Sequence, residues 1–254
     1  MKVIYIAGLS HSGSTLLSLM LNAHPEIISV GELKDLRRAG AGMPCGCGAP
    51  SLEQCDFWSS VEKVLRRRSG KSIKDLDCFR QYSIQRDSLA ENVFLFQAIH
   101  EASGKRFVVD SSKRPGRLKY LLNLKGLEVY PVHLIRDARG QILSMLKRQG
   151  GFAKHILRYR VVNSLIRSTI KSVPHAILRY EDLVQEPERN LSRLLEPLGL
   201  SFSPRQMLWF EHERHLIAGN KMRWESERLV LDERWKESLS GFQQAAILSL
   251  ASWR

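Results

Sequence analysis

Ile4-Tyr5-Ile6-Ala7-Gly8-Leu9-Ser10-His11-Ser12-Gly13-Ser14-Thr15 is an apolar, β-prone run that passes into a turn of small hydroxylated residues. It then opens into the helical pattern Leu16-Leu17-Ser18-Leu19-Met20-Leu21. A strand, a small-residue turn and a helix in that order converge backbone N–H groups and the positive end of a helix dipole on one point. The chain therefore begins with an anion-binding cradle. ATP- and GTP-hydrolysing cradles carry a lysine and a hydroxyl residue after their second glycine. Here Gly13 is followed by Ser14 and Thr15, and no aspartate pair downstream marks a magnesium site. The expected ligand carries phosphate-like groups and needs no metal. A nucleotide kinase or other nucleoside triphosphatase, and a nucleotide-binding protein without catalysis, are the alternatives.

Two further segments have the same form. Phe107-Val108-Val109-Asp110-Ser111-Ser112-Lys113 is a β-branched run ending in hydroxyls and a lysine. Val129-Tyr130-Pro131-Val132-His133-Leu134-Ile135-Arg136-Asp137 is another, followed by a helix that carries Ser144. In a parallel sheet such runs end together at the carboxyl edge, where α/β proteins bind ligands. Lys113 would stand beside the cradle. Arg136 and Ser144, eight residues apart, would face one phosphate from a strand end and from two turns into the next helix. The fold class is α/β: a P-loop-like central parallel sheet flanked by helices, one domain over residues 1–254, with a helical insertion after the first βα unit.

These segments resemble the sulfotransferases that use 3′-phosphoadenosine-5′-phosphosulfate (PAPS). The resemblance implies that His11, Ser12, Gly13, Ser14, Thr15 and Leu16 form the loop for the 5′-phosphosulfate and that Arg136 and Ser144 bind the 3′-phosphate. The stretch Leu178-Arg179-Tyr180-Glu181-Asp182-Leu183 is similar to the family's Tyr-Glu-Asp-Leu, which implies a place for Tyr180 near the adenine. Ala218-Gly219-Asn220-Lys221-Met222-Arg223 is similar to its late basic segment, so Asn220, Lys221 and Arg223 would close over the 3′-phosphate. The chain departs from the family at His11, where other members have Lys or Arg. It also lacks the histidine that follows the second strand in the cytosolic aryl and steroid branch.

Sulfuryl transfer to an alcohol needs a base for the acceptor proton and a cation for the charge that develops on the bridging oxygen. Ser29-Val30-Gly31-Glu32-Leu33 resembles the protein-tyrosine and several bacterial sulfotransferases, which makes Glu32 the expected base. Lys113 is expected to donate to the bridging oxygen, and His11 is next in line as the base. His24, before Pro25 in the turn that ends the first helix, reads as structural.

The net charge of +13, from 39 basic and 26 acidic residues, first suggests nucleic acid. The basic residues are spread, however, and no aromatic-interleaved basic motif is present. No nucleic-acid partner is expected. The charge suits a multiply anionic nucleotide and mildly favours an anionic or membrane-associated acceptor bearing a hydroxyl. Arg66-Arg67-Arg68 reads as a solvated helix end. The N-terminus enters a strand at once and no apolar run suffices to span a bilayer, so the expected setting is cytoplasmic.

Residues 34–105 form the insertion, with helical periodicity over Val61–Leu65 and Phe79–Ile99, and are expected to help build the acceptor pocket. Val93, Phe94, Phe96 and Ile99 recur at core-packing spacing. Helical Phe152–Ile170 carries Tyr159 and several arginines at an expected acceptor entrance. Cys45, Cys47 and Cys55 cluster, with Cys78 apart. Three ligands at Cys-x-Cys-x7-Cys do not complete a tetrahedral site, so no metal is expected. A local disulfide is disfavoured by cytoplasmic reduction.

Overall fold

In the computed structural model, residues 1–36, 42–76, 86–146, 151–224 and 229–251 are described. Strand β1 (Lys2–Ala7) is inaccessible to solvent from Val3 to Ala7, as a strand covered on both faces must be. Its side chains alternate between two cores. Val3, Tyr5 and Ala7 enter one, and Ile4 and Ile6 enter the other. Helix α1 (Ser14–Asn22) follows, then β2 (Ile27–Ser29), α2 (Asp56–Ser69), α3 (Arg86–Ser103) and β3 (Phe107–Lys113). Next come α4 (Pro115–Leu122), β4 (Glu128–Ile135), α5 (Ala138–Leu146), α6 (Phe152–Ile170) and β5 (Ala176–Arg179). Short helices α7 (Tyr180–Gln185), α8 (Pro187–Leu195), α9 (Trp235–Ser238) and α10 (Gly241–Ala251) complete the order.

The five strands form one parallel sheet in the order β2-β3-β1-β4-β5. After β1 the chain passes to β2, beyond β3, and after β3 it crosses to β4 on the opposite side of β1. The carboxyl ends of β3, β1 and β4 thus lie side by side at the reversal of strand order, where α/β sheets open a crevice. All three strands that the sequence marks as ending in functional residues meet there.

One core packs Val3 and Tyr5 against Trp58, Val61 and Leu65 of α2, Phe96 and Ile99 of α3, and Ile166 and Ile170 of α6. The other packs Ile4 and Ile6 against Leu17, Met20 and Leu21 of α1 and Leu191, Leu194 and Leu195 of α8. Val93 and Phe94 are half-buried against the first core, as their spacing implies. Arg66, Arg67 and Arg68 end α2 on its solvated face, where Arg66 meets Glu62 and the other two meet Glu101.

Two details differ from expectation. A short strand, β2, stands between α1 and the insertion, and the sequence does not mark it because three residues are too few to show alternation. Tyr159 does not line an entrance: it is buried, and its hydroxyl donates to the Arg136 carbonyl at 2.9 Å. Residues 79–85 of the expected second insertion helix, and Cys78, lie outside the described residues. Among the described residues no helix is long and apolar enough to cross a membrane.

A strap from the carboxyl-terminal third crosses this edge. Ile217 pairs with Gly31 as an isolated parallel bridge; its N–H donates to the Val30 carbonyl and its carbonyl accepts from the Glu32 N–H, both at 2.9 Å. Gly31 has φ +76°, and a Cβ there would stand 2.3 Å from the Ile217 carbonyl oxygen. Gly31→Val should therefore lower the free energy of unfolding by about 1–3 kcal/mol from backbone strain alone, seen as a lower denaturant midpoint; an unchanged midpoint would show that the strap is not held against β2 in solution.

Candidate active site

The cradle is built by the turn after β1. Gly13 takes the left-handed conformation, φ +93°, directly before α1. Its missing Cβ leaves room for Tyr180, whose ring would otherwise be struck at 2.5 Å. Ser14 and Thr15 open α1, and Leu16 contributes backbone only, its side chain being part of the core. Ser12 is fully buried, and its Oγ has no hydrogen-bond partner among the described residues.

His11, Gly13, Ser14, Thr15, Glu32, Lys113 and Asn220, all expected site residues, line one cleft of about 370 Å³ together with Lys34, Asp35, Arg114 and Ala218. That size suits a small-molecule ligand. Among the described residues three non-glycine side chains sit on positive-φ backbone: His11 (+67°), Lys113 (+68°) and Ala218 (+54°). All three line this cleft. Strain of this kind persists where surrounding structure enforces it, and it gathers at functional sites. At Lys113 the cause is visible. The β1–β3 register slips between the Tyr5–Asp110 and Ala7–Lys113 pairs, and this bulge aims the end of β3 into the cleft.

Glu32 and Lys113 form an ion pair. Lys34, carried by the 3₁₀ turn Leu33–Asp35, reaches the other Glu32 oxygen at 2.5 Å and also pairs with Asp35. Its backbone N–H donates to Ser112 Oγ at 3.0 Å, which ties this turn to β3. Burial raises the Glu32 carboxyl, but Lys113 and Lys34 outweigh it and hold the group below its ordinary value. Burial pulls the Lys113 ammonium down, and Glu32 restores only part of the loss. A desolvated lysine paired with a carboxylate is a poised proton donor beside an anion site. Lys34 is not among the residues that the motifs mark; its sequence signal is Glu-x-Lys around a tight turn.

Arg136 lies on the other flank of the cradle. Its guanidinium stacks on Tyr180, 4.6 Å from the ring centroid, and donates to the His11 carbonyl at 3.1 Å. It also pairs with the Asp232 carboxylate at 2.9 Å and that residue's carbonyl at 3.1 Å. Arg234, then Arg136, hold the Asp232 carboxyl far below its usual range against the effect of burial. Ser144 turns its hydroxyl back to the Gly140 carbonyl at 3.0 Å, and a Cβ on Gly140 would lie 3.3 Å from the Arg136 guanidinium. Arg136 and Ser144 thus share a neighbourhood, with Asp232 as the present anion. Nothing in the sequence around Asp232 announces that contact.

The strap completes the site. The Asn220 N–H approaches Thr15 Oγ1 at 3.4 Å, and Lys221 stands exposed at the rim. Arg223 is buried against Trp224, 3.8 Å from its ring, and its Nε and Nη1 have no partner among the described residues. His24 is structural as expected, bonded to the Ser201 carbonyl and the Glu26 N–H. Behind the strap, Cys45, Cys47, Cys55 and His215 bring four ligand-type atoms within 4.8 Å of one another.

Residues 4–204 match the Sulfotransferase family, and the chain belongs to that family. Protein-tyrosine sulfotransferase 2 of Gallus gallus is 26% identical over 218 residues, which cover 80% of this chain and 52% of that protein. Protein-tyrosine sulfotransferase 1 of Danio rerio is 26% identical over 217 residues, covering 80% and 54%. The chain spans about half the length of these curated relatives. The solved sulfotransferase domain of the Synechococcus PCC 7002 olefin synthase superposes with a TM-score of 0.64 at 17% identity, covering all of this chain and 95% of that one. The sulfotransferase domain from the curacin biosynthetic pathway gives 0.60 at 17% identity, covering 100% and 98%. At that identity the likeness is one of fold.

Glu32 titrates lower in the folded chain than its ordinary 4.5. Its ion pairs therefore stabilise the fold above that pH, and the contribution fades as pH falls through the depressed value. The difference in denaturant midpoint between the wild type and Glu32→Gln should be largest near neutrality and shrink below pH 4.5; a difference that does not change with pH would mean that the lysines do not hold this carboxylate.

Proposed function

We propose that the chain is a PAPS-dependent sulfotransferase acting on a hydroxyl group. The observation that carries this reading is the Glu32–Lys113 ion pair at the lip of a cradle whose Gly13 turn, Ser14, Thr15 and α1 N-terminus suit an anion. The residues fit a nucleotide of that charge. Ser12 Oγ is buried and unpaired, the Arg223 guanidinium is buried with unpaired donors, and Arg136 rests on an aromatic ring with a carboxylate for its anion.

In this mechanism Glu32 accepts the acceptor's proton as the acceptor oxygen forms its bond to sulfur. The bond from sulfur to the bridging oxygen breaks, the electron pair leaves on that oxygen, and Lys113 donates a hydrogen bond to it. An ammonium has three protons, so Lys113 holds Glu32 and the bridging oxygen together. A carboxylate paired with two lysines is a weak base. The negative charge of a bound donor offsets the field of those lysines, so Glu32 becomes more basic when the donor is in place. Ser14 and Thr15 hold the sulfuryl oxygens, Arg136 and Ser144 the 3′-phosphate, and the 218–223 strap closes over it. The transfer is in line, with no covalent intermediate on the protein and no catalytic metal. The acceptor is a glycan, a glycolipid, a peptidic or a small-molecule alcohol, and the insertion helps to shape its pocket.

Calorimetric titration should show 3′-phosphoadenosine-5′-phosphate binding in strong preference to AMP and to ATP with magnesium; the reverse preference would overturn the reading. Arg136→Ala should cost the 3′-phosphorylated nucleotide about 2–4 kcal/mol while adenosine 5′-phosphosulfate hardly responds, and equal losses would remove Arg136 from the 3′ site. Glu32→Gln should retain nucleotide affinity and lose about 10²-fold or more in turnover; full activity would point to another base.

A further inference from the structure

Cys45, Cys47 and Cys55 come from the start of the insertion, and His215 comes from the strap 160 residues after Cys55. The chain folds so that the three sulfurs and the imidazole enclose one point. Cys47 Sγ stands 3.7 Å from Cys55 Sγ, and Cys55 Sγ stands 3.3 Å from His215 Nδ1. No two of the four ligand atoms are more than 4.8 Å apart. Sulfurs placed about 2.3 Å from a tetrahedral zinc ion are about 3.8 Å from one another, and a nitrogen at about 2.0–2.1 Å comes slightly nearer to each sulfur. The two edges that meet at Cys55, 3.7 Å between sulfurs and 3.3 Å from sulfur to nitrogen, have the size and order of that polyhedron.

The surroundings orient the ligands as a metal centre requires. Cys45 and Cys47 share a tight turn in which the Gly48 N–H donates to the Cys45 carbonyl at 3.0 Å and the Cys45 N–H donates to Ala49 at 2.9 Å. Cys55 is the residue directly before α2, so the helix start fixes the direction of its side chain. The His215 ring is stacked on Phe57 at 4.7 Å, with its backbone carbonyl held by Trp58 Nε1 at 3.0 Å. Its second nitrogen faces the Glu213 carboxylate at 3.4 Å, the outer-shell contact that fixes a metal-binding imidazole with Nδ1 free to ligate. A disulfide would use two thiols and leave the third thiol and this aimed imidazole without a role.

We propose that Cys45, Cys47, Cys55 and His215 form a structural zinc site of the Cys3His type, separate from the catalytic cleft. Four protein ligands leave no open position, and soft sulfur donors with an imidazole select zinc over hard divalent cations. The expectation of no metal counted three ligands in sequence, whereas the fourth arrives only through the fold. The ion clamps the insertion to the strap. On either side of it the Gly46 N–H donates to the Leu216 carbonyl and Trp224 Nε1 donates to the Cys45 carbonyl, both at 3.1 Å. The next strap residues, Ala218 to Asn220, line the cleft. The site would therefore hold the closing segment of the nucleotide pocket in place without taking part in chemistry.

The test is metal content, which does not depend on sulfotransferase activity. The protein, purified under reduction without chelators and supplied with zinc, should retain one zinc per chain by mass spectrometry of the metal. Replacement by cobalt should give the intense visible bands of a tetrahedral ion together with sulfur-to-cobalt charge transfer. Cys47→Ser, at the exposed ligand, and His215→Ala should each reduce retained zinc at least tenfold, whereas His215→Cys should keep it. A wild type that holds less than a tenth of an equivalent, a cobalt spectrum of octahedral type, a Cys47–Cys55 disulfide seen as the loss of two hydrogens in the intact mass, or full zinc retention by Cys47→Ser would each overturn the proposal.

Discussion

The complete burial of β1 is the constraint on which the rest of the molecule depends. A strand with no solvent-exposed side chain from Val3 to Ala7 has nowhere along its length to place a polar group. Its chemistry is therefore confined to its carboxyl end. The neighbours are covered in the same way: β3 is apolar from Phe107 to Val109 and β4 is buried from Pro131 to Ile135, where the one polar side chain, His133, is bonded to Asn163, and both strands pair with β1 in parallel. Parallel pairing brings these three ends to one edge, and the reversal of strand order beside β1 keeps that edge open.

Charge at that edge is arranged in two groups, one on each flank of the cradle. Glu32 pairs with Lys113 and Lys34 on the first, and Arg136 pairs with Asp232 on the second. Buried cations in such a place are costly unless neutralised, and here Lys113 and Arg136 are each paired with a carboxylate from a distant segment, while Lys34 pairs within its own turn. An incoming polyanion meets cations that are already desolvated and oriented, at the cost of exchanging one anionic partner for another.

The strap from His215 to Trp224 joins the two halves of the structure. Ile217 extends the hydrogen bonding of the Val30–Glu32 segment, Asn220 reaches Thr15 in the cradle, and Trp224 reaches the cysteine turn. A segment so far along the chain has no local reason to lie there. It is held by backbone bonds to Val30 and Glu32, which flank a glycine that cannot be replaced without a clash, and it carries one member of the cluster of thiols and imidazole. The insertion is thereby tied to the rim of the cleft as well as to the core.

The amino-acid sequence by itself determined the strands, the cradle and the list of charged strand ends, because all of these are local. Apolar runs mark β1, β3 and β4, a glycine between hydroxyls marks the turn, and Phe152–Ile170 has the period of a helix throughout. It also marked Lys113, the last residue of a strand that begins as an apolar run, and Glu32 through the resemblance of the Gly31-Glu32 segment to sulfotransferases. Tertiary structure alone decided which partners these groups have. That Lys113 faces Glu32 across 81 residues follows from the β1–β3 bulge and the turn after Gly31, and neither periodicity nor spacing carries that information. Tyr159 lies on a helix expected at the acceptor entrance, but its packing with Ile142, Met145 and Ile247 buries it, with its hydroxyl on the Arg136 carbonyl. Asp232 and His215 were invisible for the same reason. Each meets its partners only after 96 or 160 residues of intervening chain have folded, and side-chain chemistry over such a separation is set by topology rather than by neighbours in sequence.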